Sequence, residues 1–312
     1  MDRILKSIFS KEYSSINQAA LFLGLFAFFS QILALFRDRS IAHFIGPSPS
    51  LDAYYAAFRV PDLIFISIAS LASITVIIPF IVARMSDEKV TDATRKYLND
   101  IFTVFFIVIV FISIIAFFLM PYLTFFIAPG FSSAMQAKVV LLSRIMLLSP
   151  ILMGLSNLFS AITQLFRKFF IYSLSPIFYN FGIIIGVIFL YPIFKIYGLA
   201  IGVVLGALMH FGIQAFASAG CGFTPKFSNS INFKDIKAVV LTSLPRTLGL
   251  AFNNIALLFI ITLASYLKAG SISIFNLSFN LQSVPLNIIG ISYAVAAFPT
   301  LAKSMSLGKI GE

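Results

Sequence analysis

The chain has 312 residues, of which 60% are hydrophobic and 11% charged, and its formal net charge is +11. This composition excludes a soluble globular domain, because apolar runs of about 20 residues, long enough to cross a bilayer, recur along it. The positive charge is spread over the polar segments between these runs, which argues against nucleic-acid binding. One cysteine, Cys221, and two separated histidines exclude a disulfide framework and a cysteine- or histidine-rich metal site, so we expect no cofactor.

Apolar runs separated by polar residues predict eight membrane-spanning helices, so the expected fold class is an all-α polytopic helix bundle. Their approximate ranges are 16–44, 51–84, 98–121, 138–165, 170–191, 197–219, 236–266 and 271–301. The first run is longer than a signal-peptide core and has no small-residue cleavage site after it. We therefore expect an uncleaved first span.

The distribution of lysine and arginine predicts the orientation. If the N-terminus is cytoplasmic, fourteen of these residues lie in inside segments and five in outside segments or span ends. Positive charge is concentrated on the cytoplasmic side of membrane proteins. The sequence therefore predicts that both ends of the eight-span array are cytoplasmic.

Three arginines, Arg59, Arg144 and Arg246, lie inside or at the edge of apolar spans. A charge at the bilayer centre costs roughly 2.5–3.5 kcal/mol on insertion scales, so these side chains are expected to face a bundle interior or a wet cavity. Local explanations stay open for some of the cations. Arg37 could extend to the outer interface, Arg59 could pair with Asp62 one turn later, and Arg144 could be interfacial.

Polar residues recur at helical spacing in four spans. In the eighth span the steps of four and three place seven small or polar residues on one stripe: Asn276, Asn280, Ser283, Asn287, Gly290, Ala294 and Ala297. A close helix-packing seam would also use small residues and asparagine. Three asparagines on one stripe favour a hydrated cavity wall.

If the stripes are cavity walls, spans 1, 2, 7 and 8 converge on one space. The candidate substrate-binding residues are then Gln31, Arg37, Asp52, Arg59, Arg246, Asn253, Asn280 and Asn287. P-loop, GxGxxG, HExxH and GxSxG motifs are all missing from the sequence, so we expect a transporter rather than an enzyme.

Several strings, taken in order and spacing, resemble the MurJ/MviN family of flippases for lipid-linked peptidoglycan precursors. They are Phe36-Arg37-Asp38, Asp52-Ala53, Ala57-Phe58-Arg59-Val60-Pro61, Ala128-Pro129-Gly130-Phe131, Gly270-Ser271-Ile272-Ser273 and Phe298-Pro299, with Pro79, Pro150, Pro176, Asn180 and Pro285 between them. The resemblance extends from about residue 1 to 305.

The resemblance implies a MATE-like fold of the multidrug/oligosaccharidyl-lipid/polysaccharide (MOP) exporter type, with two six-helix lobes around a central cavity. Residues 1–225 would form the first lobe and 226–312 the first two helices of an incomplete second lobe, so we expect a C-terminally truncated chain. The implied activity is movement of lipid II from the inner to the outer leaflet of the bacterial plasma membrane by alternating access, without ATP hydrolysis. The implied partners are a lipid-linked diphosphate, membrane lipid and cell-wall synthesis proteins.

Two alternatives stay open because cavity arginines of the family are replaced here by Gln31, Phe65 and Asn280. One is an exporter of another polyprenyl-linked oligosaccharide or of a cationic drug. A drug exporter would need inward carboxylates, for which Asp38, Asp52 and Asp62 are available. The other is a non-transporting membrane scaffold.

Overall fold

The computed structural model describes residues 16–69, 91–166 and 168–287, together with Ile78 and Ile81. Within these residues the chain is helical and has no strand. The helices are α1 (Ile16–Phe44), α2 (Pro49–Ala57), α3 (Arg59–Ala69), α4 (Asp92–Ile127), α5 (Ser133–Met146), α6 (Leu148–Leu165), α7 (Phe169–Ile185), α8 (Tyr191–Phe194), α9 (Ile196–Gly220) and α10 (Phe233–Ala264). Residues 271–287 form a further helix, α11.

Five helical segments in the described part of the chain are long and apolar enough to cross a membrane: Asp92–Ile127, Ser133–Leu165, Phe169–Phe194, Ile196–Gly220 and Phe233–Ala264. They coincide with predicted spans three to seven. The all-α membrane bundle predicted from the sequence is confirmed. Parts of the predicted second and eighth spans lie outside the described residues, as do Pro79 and Phe298-Pro299 of the family strings.

The longest helix, α4, turns a row of phenylalanines outward. Phe111, Phe118 and Phe126 are 61%, 69% and 71% exposed. Such a surface would be unfavourable in water, but it suits contact with lipid chains. This face of α4 is therefore the expected lipid-facing surface of the bundle.

The helical run of the predicted second span is interrupted at Phe58, between α2 and α3. Pro61 has no N–H to donate to the carbonyl of Ala57 four residues earlier, and its ring crowds that carbonyl. Ser143 of α5 instead donates its hydroxyl to the Ala57 oxygen at 3.0 Å. The break is thus stabilised by a neighbouring helix, and Arg59 begins the helix that follows.

Helices α7 and α9 pack through glycines spaced four residues apart. A Cβ added to Gly182 would lie 2.3 Å from the Cα of Gly206, and one added to Gly202 would lie 2.6 Å from the Cα of Gly186. Small residues at this spacing let helix backbones approach closely in a membrane. A π-helical segment, Gly186–Leu190, follows directly and continues α7 toward α8.

Between α6, α7 and α9 the lobe interior holds a chain of buried hydrogen bonds. The Ser156 hydroxyl lies 2.7 Å from Nδ1 of His210. Thr163 donates to the Gln214 side-chain oxygen at 3.0 Å, and the Gln214 amide donates to Ser175 at 2.7 Å. Because these polar atoms are paired with one another, the polar side chains can stay inside the lobe without an uncompensated desolvation cost.

The segment that joins α9 to α10 is held on the first turns of α4. Three backbone N–H groups within residues 226–232 donate to Asn99 at 2.9 Å, Thr103 at 2.9 Å and Asp100 at 3.1 Å. These bonds fix the linker that leads into α10, which packs against α3 and α4.

Candidate substrate cavity

A cavity of about 150 Å³ lies where α1, α2, α3, α7 and α11 meet. Its polar lining contains two arginines, two aspartates, two asparagines and three tyrosines: Arg37, Arg59, Asp38, Asp62, Asn276, Asn280, Tyr54, Tyr55 and Tyr179. Both predicted lobes contribute, since α11 follows the linker whereas the other four helices precede it. The cavity is therefore formed between the two sets of helices.

Arg37 is held by its neighbours on two helices. Its Nε and Nη2 atoms each lie 2.8 Å from Oδ1 of Asp38, and its Nη1 donates to the Asn180 side-chain oxygen on α7 at 2.8 Å. The other oxygen of Asp38 accepts from Asn280 on α11 at 3.1 Å. Arg37 therefore points into the bundle as part of a network that joins α1, α7 and α11, and not toward the outer interface.

Arg59 joins α3 to α11 directly. Its Nη2 donates to the Asn276 side-chain oxygen at 2.9 Å, and its Nε donates to the Tyr55 carbonyl at 3.4 Å. Asn276 is oriented by its own bond to the Ile272 carbonyl at 2.8 Å. The hydrogen bonds of Arg59 thus go to a neighbouring turn and to α11 rather than to Asp62. Two of its five N–H groups donate to partners among the described residues, and within that part of the chain the other three can serve a ligand.

The formal charges of the lining side chains cancel, because Arg37 and Arg59 are matched by Asp38 and Asp62. They are not distributed evenly. Among the described residues, the salt bridge of this cavity joins Arg37 to Asp38, which neutralises one side. On the other side the Arg59 guanidinium and the Asp62 carboxylate both face the cavity. An anion entering it would be attracted by Arg59 and repelled by Asp62.

The structure places three of the eight predicted site residues, Arg37, Arg59 and Asn280, in the lining of this cavity. Four others lie elsewhere. Gln31 and Asn287 are half-buried on α1 and α11 without lining it, and Arg246 and Asn253 are exposed on α10. Spans 1, 2 and 8 converge as predicted. Span 5 takes the place expected for span 7, because α7 supplies the fourth wall.

The eighth predicted residue, Asp52, is buried at 2% exposure and does not line the cavity. Its carboxylate accepts from the backbone N–H of Gly270 at 2.6 Å, from the N–H of Ser273 at 2.7 Å and from the Ser273 hydroxyl at 2.5 Å. An acidic side chain is stabilising at a helix N-terminus. Asp52 thus joins α2 to the start of α11, and its oxygens are engaged within the protein rather than offered to a substrate.

Two further contacts join turns at the end of the molecule where Asp52 meets the start of α11. The Gly130 N–H, in the turn between α4 and α5, donates to the Ser265 hydroxyl at 3.0 Å. A Cβ on Gly130 would lie 2.4 Å from the Ser265 carbonyl oxygen, so the two turns are in close backbone contact. A Cβ added to Gly270 would lie 3.2 Å from the Cβ of Pro47, so the turn at Gly270 also contacts the turn between α1 and α2. Turns from both sets of helices therefore meet here.

Three important side chains were missing from the set predicted from the sequence: Asn180, Asn276 and Tyr55. Asn276 begins the polar stripe of the eighth span, and Asn180 is part of the family strings, so both carried a signal. Tyr55 carried none, because a tyrosine near a predicted span end is usual at a membrane interface.

Several helices that are long and apolar enough to cross a membrane, with a charged cavity between two sets of helices, define a polytopic membrane protein. The family model described as lipid II flippase MurJ matches residues 41–311. The chain belongs to this family. It is accordingly a multi-pass protein of the bacterial inner membrane.

Two curated relatives illustrate the extent of the match. The chain is 29% identical to a probable lipid II flippase MurJ of Buchnera aphidicola subsp. Schizaphis graminum, covering 94% of this chain and 57% of that protein. It is 25% identical to lipid II flippase MurJ of Burkholderia cenocepacia, covering 93% and 58%. The chain thus spans less than three fifths of the length of these relatives.

Solved structures agree on the fold. A structure described as lipid II flippase MurJ in the inward closed conformation superposes with a TM-score of 0.76 at 23% identity, over 92% of this chain and 59% of that one. The MATE multidrug transporter DinF-BH superposes with a TM-score of 0.62 at 18% identity, over 88% and 62%. At these identities the likeness bears on the fold alone.

Proposed function

We propose that the protein moves a polyprenyl-diphosphate-linked peptidoglycan precursor, lipid II, from the inner to the outer leaflet of the bacterial plasma membrane. The observation that carries this proposal is Arg59, which lines a cavity between two sets of helices and uses two of its five N–H groups on the residues that the structure describes. A planar guanidinium can bind two phosphate oxygens at once, which a point charge cannot do. The family membership and the names of the relatives support lipid II as the substrate.

The volume of the cavity favours recognition of the diphosphate rather than of the whole headgroup. A space of about 150 Å³ is too small for a disaccharide with its peptide, although it can receive phosphate groups. Alternating access would enlarge it, because two of its contacts, Arg59 to Asn276 and Asp38 to Asn280, cross between the helix sets. We infer that breaking these contacts exposes the guanidinium to one leaflet at a time.

The contacts between turns at one end of the molecule are consistent with one of the two conformations that alternating access requires. Asp52 with Gly270 and Ser273, and Gly130 with Ser265, hold the turns of the two sets together. With a cytoplasmic N-terminus these turns lie on the outer side. We infer a conformation that is closed to the outer leaflet.

We place the boundary between the lobes at residues 225 and 226, within the linker that is docked on α4. Residues 1–225 then form the first lobe, and 226–312 provide the first two helices of a second lobe. In the assembly that carries out transport, we expect cell-wall synthesis proteins to supply and consume the lipid-linked substrate.

An exporter of a cationic drug is a weaker candidate for this cavity. Asp38 is committed to Arg37 and Asn280, and Asp52 is committed to the start of α11. Asp62 remains, but it lies beside a guanidinium that would repel a cation. A non-transporting scaffold does not need two arginines in an inter-lobe cavity, where each has a desolvation cost.

Replacement of Arg59 by glutamine tests this proposal at the binding step. We expect a polyprenyl diphosphate to bind the variant more weakly, with a higher dissociation constant, when binding is measured with the purified full chain in lipid nanodiscs. The expected loss of binding free energy is roughly 1.5–3 kcal/mol, the contribution of one hydrogen bond to a charged group. Arg144→Gln is the matched control, since Arg144 lies outside the cavity and contacts the Phe117 carbonyl at 3.0 Å. Equal losses in both variants would show a nonspecific charge effect and would contradict the proposal.

A further inference from the structure

Tyr55 has a hydroxyl group that the fold does not use. The residue is 7% exposed and lines the cavity, and its hydroxyl has no hydrogen-bond partner among the residues that the structure describes. Leaving a buried polar group unpaired costs free energy, so nearly all such groups in folded proteins have a partner. A phenylalanine would fill the same space without this cost. Because Tyr55 also lines the cavity, a ligand bound there can complete the hydrogen bonding of this hydroxyl.

Its position next to Arg59 indicates what kind of group this is. The backbone carbonyl of Tyr55 accepts from Nε of Arg59 at 3.4 Å, so the same residue orients the guanidinium and contributes a side chain to the same cavity. A phenol and a guanidinium in the lining of one cavity are both hydrogen-bond donors, which suits an oxygen anion. A cationic ligand would be repelled by Arg59, and an apolar ligand would leave the hydroxyl unpaired.

We propose that Tyr55 is a positioning residue for the anionic headgroup, and that its hydroxyl donates a hydrogen bond to a phosphate oxygen of the ligand that Arg59 also binds. The inference rests on the proposed function, because it assumes that a diphosphate enters this cavity. It adds a neutral donor to the guanidinium. Such a donor contributes direction as well as affinity, since the O–H bond must point at the oxygen that it binds.

The test is Tyr55→Phe, which removes one oxygen atom and leaves the ring in place. Wild-type and variant full chains in lipid nanodiscs are titrated with a polyprenyl diphosphate, and thermal unfolding is followed with and without it. We expect the dissociation constant of the variant to rise about tenfold, the usual effect of one lost hydrogen bond to a charged group. We expect the unfolding temperature without ligand to stay unchanged or to rise, because the hydroxyl has no partner among the described residues of the fold.

Thr124→Val is the matched control. Thr124 is completely buried on α4, its hydroxyl also has no partner among the described residues, and it does not line the cavity. Removing that hydroxyl should leave the dissociation constant at the wild-type value. If Thr124→Val and Tyr55→Phe weaken binding equally, or if Tyr55→Phe binds as tightly as the wild type, the role of Tyr55 is refuted.

The two proposals fail in different ways. If wild-type protein shows no saturable binding of the diphosphate, the proposed function fails and Tyr55 has no such ligand. If the wild type binds, Arg59→Gln weakens binding and Tyr55→Phe does not, the proposed function stands and the inference about Tyr55 alone is overturned. A lower unfolding temperature of ligand-free Tyr55→Phe with an unchanged dissociation constant would also overturn it, because that result describes a structural hydroxyl.

Discussion

At the scale of single residues, Asp62 is the side chain of the cavity that opposes an anionic ligand. It faces the same space as Arg59 and is not part of the Arg37–Asp38 salt bridge. Asp62→Asn keeps the shape of the side chain and removes its negative charge. We expect a polyprenyl diphosphate to bind the variant more tightly, by about 1–2 kcal/mol or roughly tenfold, because a like-charge contact is removed.

Titration of Asp62→Asn in nanodiscs measures this change directly, with Asp235→Asn as the control. Asp235 is half-buried in the first turn of α10, outside the cavity, so its replacement removes one negative charge without touching the site. Equal or weaker binding by Asp62→Asn would mean that its carboxylate does not oppose the ligand. Repulsion between Asp62 and the ligand would then not contribute to the binding free energy.

The sequence anticipated individual cavity residues unevenly, for a physical reason. Helical spacing shows which residues share a face of one helix, but it does not show which helix that face contacts. Arg37, Arg59 and Asn280 share a cavity, whereas Arg246 lies on an equally polar stripe that is exposed on α10. Helical spacing puts Asp52 on one stripe with Ala56 and Arg59, which predicted it in the cavity wall. Its partners are backbone N–H groups more than 200 positions away, and periodicity carries no information about them.

At the scale of elements, the glycine contact between α7 and α9 is the closest helix approach that can be tested. Gly182→Ala would place a Cβ 2.3 Å from the Cα of Gly206, so the two backbones must separate. We expect a loss of about 1–3 kcal/mol of stability, the usual cost of overpacking, seen as a lower unfolding temperature in nanodiscs. Asn180, the partner of Arg37, lies two residues earlier on α7, so diphosphate binding should weaken as well.

Gly212→Ala is the control for this prediction. Gly212 lies on α9 too, but a Cβ there would meet nothing within 4 Å. Alanine has the higher helix propensity, so the control should be neutral or stabilising by up to about 1 kcal/mol. If both substitutions have the same effect, the approach of α7 and α9 does not depend on the absence of a side chain at Gly182.

The elements themselves were largely predictable from hydropathy, because a span must be apolar over its whole length. The five long segments fall within a few residues of the predicted spans. The break at Phe58 was not predicted, although Pro61 is a sequence signal for it. The Ser143 hydroxyl that satisfies the Ala57 carbonyl comes from another helix, which periodicity does not show. The π-helical segment Gly186–Leu190 was missed as well, because a single extra residue in a helix does not alter an apolar run.

At the scale of the whole molecule, the predicted orientation in the membrane can be tested by labelling introduced cysteines from one side. In a Cys221→Ser background, single cysteines are introduced at Ser132, in the turn between α4 and α5, and at Asn229, in the linker on α4. With a cytoplasmic N-terminus, a membrane-impermeant thiol reagent added outside intact cells should label position 132. It should label position 229 only after the cells are opened. Labelling of position 229 from outside would reverse the orientation and would place the closed end at the cytoplasm.

The central claim is that this chain moves lipid II across the membrane, and the outer-leaflet content of lipid II tests it most directly. The protein is depleted in the bacterium that encodes it and restored as wild type, as Arg59→Gln or as Arg144→Gln. Lipid II accessible from outside is then measured against the total. We expect outer-leaflet lipid II to fall on depletion while the total accumulates, with rescue by the wild type and Arg144→Gln and poor rescue by Arg59→Gln. Unchanged outer-leaflet lipid II after depletion would contradict the claim and would favour a scaffold that does not transport.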